Sequence, residues 1–262
     1  MPRSEAARRA SRLAAHLVTL YAHARLVAPR LGRTERDQLA RQLARRMLDV
    51  LAVRVRVHGT PLPARGPLLV VANHVSWLDP YTLNAVVAAR FVAKSEVARW
   101  PLVGGVARGF GSFFIVRGSV RDAARTKDRV AEALRAGERV GAFPEATTTD
   151  GAQVGAFHGA LFQAAIDAGV PIQPVAVRYT DVDGTPSDAP VFVGDMTLAA
   201  SLARVLAAPT LHADVRVCPA IPIAGWDRRE LAWLSRRYIA NALELNDRTE
   251  PPRARRRLRA VA

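Results

Sequence analysis

From Leu51 onward the chain alternates short β-type apolar runs with stretches of helical periodicity, and this alternation restricts the possible folds more than any other feature of the sequence. Val53, Val55 and Val57 alternate with Arg54 and Arg56, the pattern of a strand with one exposed face. Leu68 to Ala72 is uninterrupted apolar sequence, as a strand buried on both faces requires. Further strands are predicted at 90–93, 112–116, 140–143, 172–179, 191–193 and 215–223. Helical patterns lie near 80–89, 97–108, 119–136, 157–168, 198–208 and 227–245. This order predicts an α/β fold, a mixed and largely parallel sheet flanked by helices. Half of the 262 residues are hydrophobic, which is enough apolar surface for the core that such a domain needs.

Two helices are predicted ahead of the sheet. Leu13, Leu17, Leu20, Tyr21 and Ala24 recur at steps of three and four in a helix over about 5–27, flanked by Arg8, Arg9, Arg12 and Arg25. A second starts near Thr34, where Thr34 and Asp37 resemble a capping box, and runs through Leu39, Leu43, Met47 and Leu51. An amphipathic pair of this kind lies either in a lipid headgroup layer or against the domain, and periodicity alone does not choose between them. The longest apolar run, from Leu13 to Ala24, falls short of the about 20 residues of a membrane span. The expected organisation is 1–50 as amphipathic, membrane-associating helices, 51–246 as the α/β domain and 247–262 as a basic tail without fixed structure.

The formal charge is +15 and is concentrated at the ends, with +7 over residues 1–50 and +5 over 251–262. Basic ends suit a polyanion, either nucleic acid or an anionic membrane surface, although Arg-rich composition alone produces the same count. Nucleic acid is the weaker reading, because the sequence carries no helix-turn-helix, no RNA-binding signature and no aromatic platform. Cys218 is the single cysteine, so no internal disulfide and no thiol cluster for a metal is possible. No glycine-rich phosphate loop of the common nucleotide-binding types is present.

The residues that could carry chemistry concentrate where the 68–72 strand ends, in Asn73-His74-Val75-Ser76-Trp77-Leu78-Asp79-Pro80. His74 falls at the carboxyl end of a strand, where open α/β sheets place ligands. Asp79 before Pro80 reads as a helix N-cap. A turn between the two would instead fold the carboxylate onto one ring nitrogen, fix the tautomer and leave the other nitrogen free to take a proton from an alcohol. Three further stretches end or begin strands: Gly111-Ser112-Phe113-Phe114-Ile115-Val116-Arg117, Phe143-Pro144-Glu145-Ala146-Thr147 and Val170-Pro171-Ile172-Gln173-Pro174-Val175.

Together these stretches resemble the four ordered motifs of the glycerolipid acyltransferase family that includes 1-acyl-sn-glycerol-3-phosphate acyltransferase, the PlsC-like family, whose first motif is NHxxxxD. The resemblance covers about residues 52–180. It implies that His74 is the general base for attack of a lysolipid hydroxyl on an acyl thioester and that Asp79 orients it. It implies further that no acyl-enzyme forms, in keeping with the distance of Cys218 from every motif. Arg117, ending a GxxFIxR-like pattern with Gly111, would hold the acceptor phosphate. Glu145 and Thr147, in the place of the family's FPEGT, would help to place the acceptor, and Lys94 stands where the family often has a basic residue. A surface ion pair for Arg117 and a solvated strand end for Lys94 are the plainer alternatives.

Two positions depart from the pattern. Ala146 stands in place of glycine, which costs about 1 kcal/mol if the backbone there needs positive φ, and His158 stands where Lys or Arg is expected. The runs Thr147-Thr148-Thr149-Asp150-Gly151 and Phe91 to Pro101 look more like the lyso-ornithine lipid acyltransferase branch. The implied activity is therefore acyl transfer from acyl-CoA or acyl carrier protein to lysophosphatidate, with lyso-ornithine lipid as the alternative acceptor. No cofactor beyond the thioester donor is implied, and no metal. The expected location is the cytoplasmic face of the inner membrane, held peripherally through the helix containing Leu17, Leu20 and Tyr21, aided by its arginines and by the basic tail.

Overall fold

A computed structural model describes residues 3–116, 118–246 and 249–252. The described chain forms a seven-stranded sheet between two layers of helices, with strand order β1-β7-β6-β2-β5-β3-β4. The strands are β1 Val53–Gly59, β2 Leu68–Ala72, β3 Arg90–Lys94, β4 Phe113–Ile115, β5 Arg139–Ala142, β6 Ile172–Thr180 and β7 Leu211–Val217. The helices are α1 Arg3–Ala22, α2 Arg33–Val50, α3 Asp79–Val86, α4 Val103–Gly109, α5 Val120–Arg135, α6 Ala160–Ala168, α7 Leu198–Ala207 and α8 Arg228–Ala242. β6 and β7 pair antiparallel and every other neighbouring pair is parallel. The five strands from β6 to β4 in the order therefore run in one direction, and their carboxyl ends open on one rim. This is the expected α/β class.

The central strand β2 explains the two layers. All five of its residues are buried, and alternation sends Leu68, Val70 and Ala72 to one face and Leu69 and Val71 to the other. The first set packs with Leu13 and Leu20 of α1, Leu43 and Met47 of α2, Leu83 of α3 and Val205 of α7. The second packs with Val130 and Leu134 of α5, Phe162 of α6 and Leu231 of α8. Each fully buried side chain of this size contributes about 1.5–3 kcal/mol.

Several elements differ from the sequence expectation, each for a local reason. Residues 191–193 do not form a strand; instead Phe192 N donates to Val75 O at 3.0 Å, so the segment lies against the loop after β2. The last strand begins at Leu211, four residues early, and Ile221 keeps only an isolated bridge to Ile172. The helix expected over 97–108 is divided into a 3-10 turn, Ser95–Arg99, and α4. Pro101 drives Trp100 into an extended conformation (ψ 133°) and ends the first piece. The start of α2 is held not by Thr34 and Asp37 but by Glu35, whose Oε2 accepts from Gly32 N at 3.2 Å. β1 is an edge strand in which only Val53 is buried and Val57 is 53% exposed, so its apolar face is only half covered.

The apolar stripe of α1 is divided between the core and the surface. Leu13, Leu20 and Ala24 are buried in the domain, and Tyr21 packs on α4, where a Cβ at Gly105 would come within 2.4 Å of its ring. The core uses most of the stripe, and the side chains left outward are Val18, part of Tyr21, Leu26 and Val27, the last two in a π-helical turn, His23–Val27, that ends the helix ahead of Pro29. No helix among the described residues is long and apolar enough to cross a membrane. At the other end, Thr249 receives hydrogen bonds from Trp233 and Arg236 of α8. Most of the expected basic tail, 253–262, lies outside the described residues, as do residues 247 and 248.

Candidate active site

The site is built at the carboxyl end of β2. Asn73, the residue that follows the strand, is buried and behaves as a further strand residue: its Nδ2 donates to Val177 O at 2.9 Å and its Oδ1 accepts from Val177 N at 2.8 Å. This tie to β6 fixes where the chain leaves the sheet. His74 then enters a tight loop that returns to α3.

The loop closes around the Asp79 carboxylate, which is wholly buried. Oδ2 accepts from Val75 N at 2.8 Å, from Ser76 N at 2.9 Å and from His74 Nδ1 at 2.7 Å. Oδ1 accepts from the Tyr179 hydroxyl at 2.9 Å. Asp79 is therefore not the N-cap expected from Asp-Pro. Its side chain points back along the chain instead of forward, because three donors upstream converge on it. Four hydrogen bonds compensate the loss of water around a buried charge. With an ionised carboxylate as acceptor, the hydrogen-bond network assigns the imidazole proton to Nδ1 and the lone pair to Nε2.

The rest of His74 is equally constrained. Its ring stacks on Phe143 with centroids 4.1 Å apart, and Phe143 stacks on Phe91 at 5.6 Å. Its backbone N donates to Glu145 Oε1 at 2.7 Å, and its carbonyl accepts from Thr149 N at 2.8 Å. Glu145 is 6% exposed and spends its other oxygen on Gly155 N at 2.6 Å. A Cβ at Gly155 would sit 2.8 Å from that oxygen, so this approach requires glycine. Burial raises the Glu145 pKa, opposed by the two backbone hydrogen bonds. The His74 side chain keeps 20% of its surface accessible, and no hydrogen bond of Nε2 is found among the described residues. The arrangement offers one imidazole nitrogen, backed by a buried carboxylate, to a molecule arriving at the rim.

The structure brings His74, Asp79 and Glu145 into direct contact. Thr147 is exposed on the loop after β5, beside the residues that hold His74. Lys94 ends β3 on the same rim, and it is not without a partner. Gly111 lies at the opposite, amino end of β4, where its φ is +73° and its carbonyl accepts from Arg90 Nε at 2.7 Å. Arg117 lies outside the described residues. His158 is exposed, with its backbone N on Pro144 O at 3.0 Å. Sequence reasoning missed Tyr179, Thr149 and the stack under His74, for none has a local signal; only the register of β6 beside β2 makes Tyr179 a partner of Asp79.

Ala146 has φ +59°, the left-handed conformation that its methyl disfavours. Ala146→Gly is expected to raise stability by up to about 1 kcal/mol, net of the freer unfolded chain, and Tm by about 2 °C. A thermal melt checks this, and an unchanged or lower Tm would show that the surroundings already offset the strain.

The chain is similar to several known proteins. The family model described as Acyltransferase matches residues 54–178. A lyso-ornithine lipid O-acyltransferase of Pseudomonas aeruginosa is 40% identical over 208 residues, which cover 79% of each chain. A 1-acyl-sn-glycerol-3-phosphate acyltransferase of Neisseria meningitidis serogroup B is 38% identical over 198 residues, 75% of this chain and 77% of that one. The crystal structure of the 1-acyl-sn-glycerophosphate (LPA) acyltransferase PlsC from Thermotoga maritima shares the fold, with a TM-score of 0.62 at 19% identity over 90% of this chain and 96% of that one. A likeness of this extent to named acyltransferases, together with the family match, establishes that the chain is an enzyme of the Acyltransferase family.

Proposed function

We propose that the protein transfers a fatty acyl group from a thioester, acyl-CoA or acyl carrier protein, to the free hydroxyl of a lysolipid. The observation that carries this reading is the 2.7 Å contact of His74 Nδ1 with the buried Asp79 carboxylate, which leaves Nε2 open at the rim. His74 Nε2 takes the hydroxyl proton as the oxygen attacks the thioester carbonyl. The carbon–sulfur bond then breaks, and the departing sulfur takes the proton back from Nε2. No covalent enzyme intermediate is needed. Cys218 agrees with this, being buried, with burial pushing its thiol up to about 11.

Lysophosphatidate is the first acceptor proposed, with Arg117 as its phosphate ligand, Lys94 and Thr147 on the rim that carries His74, and Glu145 acting through the His74 backbone. Lyso-ornithine lipid is the second, favoured by relatives of that name in Pseudomonas aeruginosa, Rhodobacter capsulatus and Rhizobium meliloti, each 40% identical. An acyl-transfer assay with a panel of lysolipids and both donors, read by mass spectrometry, tests the proposal. Diacylated product from one acceptor class is expected. Folded protein that acylates no lysolipid with either donor would overturn it.

The proposed place of action is an anionic membrane surface, on its cytoplasmic side, with the protein held peripherally. Val18 is 68% exposed and Leu26 61%, while Trp100 and Leu102 are exposed on the segment that enters α4, the helix packed on Tyr21. Arg25, Arg30, Arg99 and Arg108 are exposed on the same elements. Apolar side chains ringed by arginines suit an anionic headgroup layer. Deleting the first 30 residues would open the core, so surface variants are the proper test. Val18→Glu with Leu26→Glu is expected to lower cosedimentation with anionic vesicles several-fold and to leave the circular dichroism unchanged. Unaltered cosedimentation would exclude this face.

A further inference from the structure

Asp79 distributes its hydrogen bonds unevenly. Oδ2 receives three donors, while Oδ1 receives one, the hydroxyl of Tyr179. The terminal torsion of an aspartate is intrinsically broad, so the carboxylate plane is set by whatever holds the second oxygen. Here that is a residue on a different element, 100 positions away in sequence. Tyr179 is 4% exposed on β6, and its oxygen also lies 3.0 Å from Thr82 Oγ1 on α3, a wholly buried hydroxyl that fixes the direction of the phenol.

We infer that Tyr179 is a positioning residue for acyl transfer, acting through Asp79: its hydroxyl pins Oδ1 and thereby keeps Oδ2 aligned on His74 Nδ1. The inference rests on His74 being the base. Two consequences follow from the chemistry of the contact. Burial and the adjacent Asp79 charge hold the phenol far above its ordinary pKa, so Tyr179 remains a donor across the working pH range. A hydrogen bond from a neutral donor also spreads the carboxylate charge, so Asp79 pulls less strongly on the Nδ1 proton than it would with Oδ1 bare. The titratable groups gathered here are Asp79 on α3, His74 after β2 and Glu145 after β5, and all three lie in one connected network.

The test is Tyr179→Phe in the full chain, assayed with a lysolipid acceptor and an acyl thioester donor. Loss of one charge-assisted hydrogen bond is expected to lower kcat about tenfold with both KM values nearly unchanged. The acid limb of the kcat profile is expected to move to higher pH, because a carboxylate with one donor fewer holds the imidazole proton more strongly. Thr82→Val is the control, since it removes a buried hydrogen bond but leaves the donor on Asp79. It is expected to lower Tm without moving the acid limb. The double variant Tyr179→Phe with Thr82→Val leaves no orphan hydroxyl beside the new ring and gives the same measurement if the single variant folds poorly. A folded Tyr179→Phe enzyme with wild-type kcat and an unmoved limb would overturn the inference. Retained activity in His74→Ala, assayed in parallel, would instead overturn the base assignment on which it rests.

Discussion

His74→Ala is expected to lower kcat by about 10²- to 10⁴-fold while both KM values change little, the loss that follows removal of a general base. The reason lies in the geometry of one nitrogen. Nδ1 is committed to Asp79 and the ring plane is set by Phe143, so Nε2 is the only position on His74 that can take a proton from an arriving hydroxyl. Water cannot replace it efficiently, because a water in the vacated space is a far weaker base than an imidazole. The protein should still fold. Removing the imidazole leaves Asp79 with Val75 N, Ser76 N and Tyr179, three donors for a buried carboxylate. The ring itself is partly exposed and contributes modest packing on Phe143. Steady-state kinetics on protein of verified circular dichroism decide the matter, and turnover within threefold of the wild type would exclude His74 as the base.

The sequence made the scaffold legible because the strands have strong local signatures. Leu68 to Ala72 can hardly be anything but a central strand, and the carboxyl end of that strand locates His74 without further help. Residues 191–193, equally β-like in composition, failed to pair because a hydrogen bond from Phe192 to Val75 draws the segment onto the His74 loop. Periodicity identified α1 as amphipathic but could not say which apolar surface it meets, and the core turned out to claim Leu13 and Leu20. In the site itself, the His74–Asp79 contact was readable from a spacing of five residues. The ties that make it rigid were not. Asn73 to Val177, Glu145 to the His74 backbone and Tyr179 to Asp79 all span more than seventy residues, and each depends on which strands end side by side. Ala146 is the converse case: a departure from the motif pattern directed attention to a backbone angle that the structure then placed at +59°.

Asp79→Asn and Asp79→Ala are expected to separate the charge of this residue from its place in the fold. Asparagine can satisfy the site. Its amide oxygen, set where Oδ2 is, still accepts from Val75 N, Ser76 N and His74 Nδ1, and its amide nitrogen, set where Oδ1 is, donates to the Tyr179 oxygen. Tyr179 can then turn its proton to Thr82 Oγ1, 3.0 Å away, so the second hydrogen of the amide is the main group left without a partner. Stability should fall by about 1 kcal/mol, the cost of that one unpaired donor. Turnover should fall about 10²-fold or more, because the imidazolium formed when Nε2 takes a proton has lost its counter-charge. Alanine satisfies none of these donors. Two backbone amides and an imidazole N–H would be left without their acceptor beside a wholly buried position, only the phenol having Thr82 to turn to, at a cost of about 3 kcal/mol or more. Asp79→Ala should therefore melt well below the wild type and be inactive, while Asp79→Asn should melt near it and be almost as slow. Thermal melts beside kcat for the two variants give the answer. Near-normal turnover in Asp79→Asn would show that the carboxylate serves only to shape the loop, and the proposed pairing of His74 with a buried charge would have to be given up.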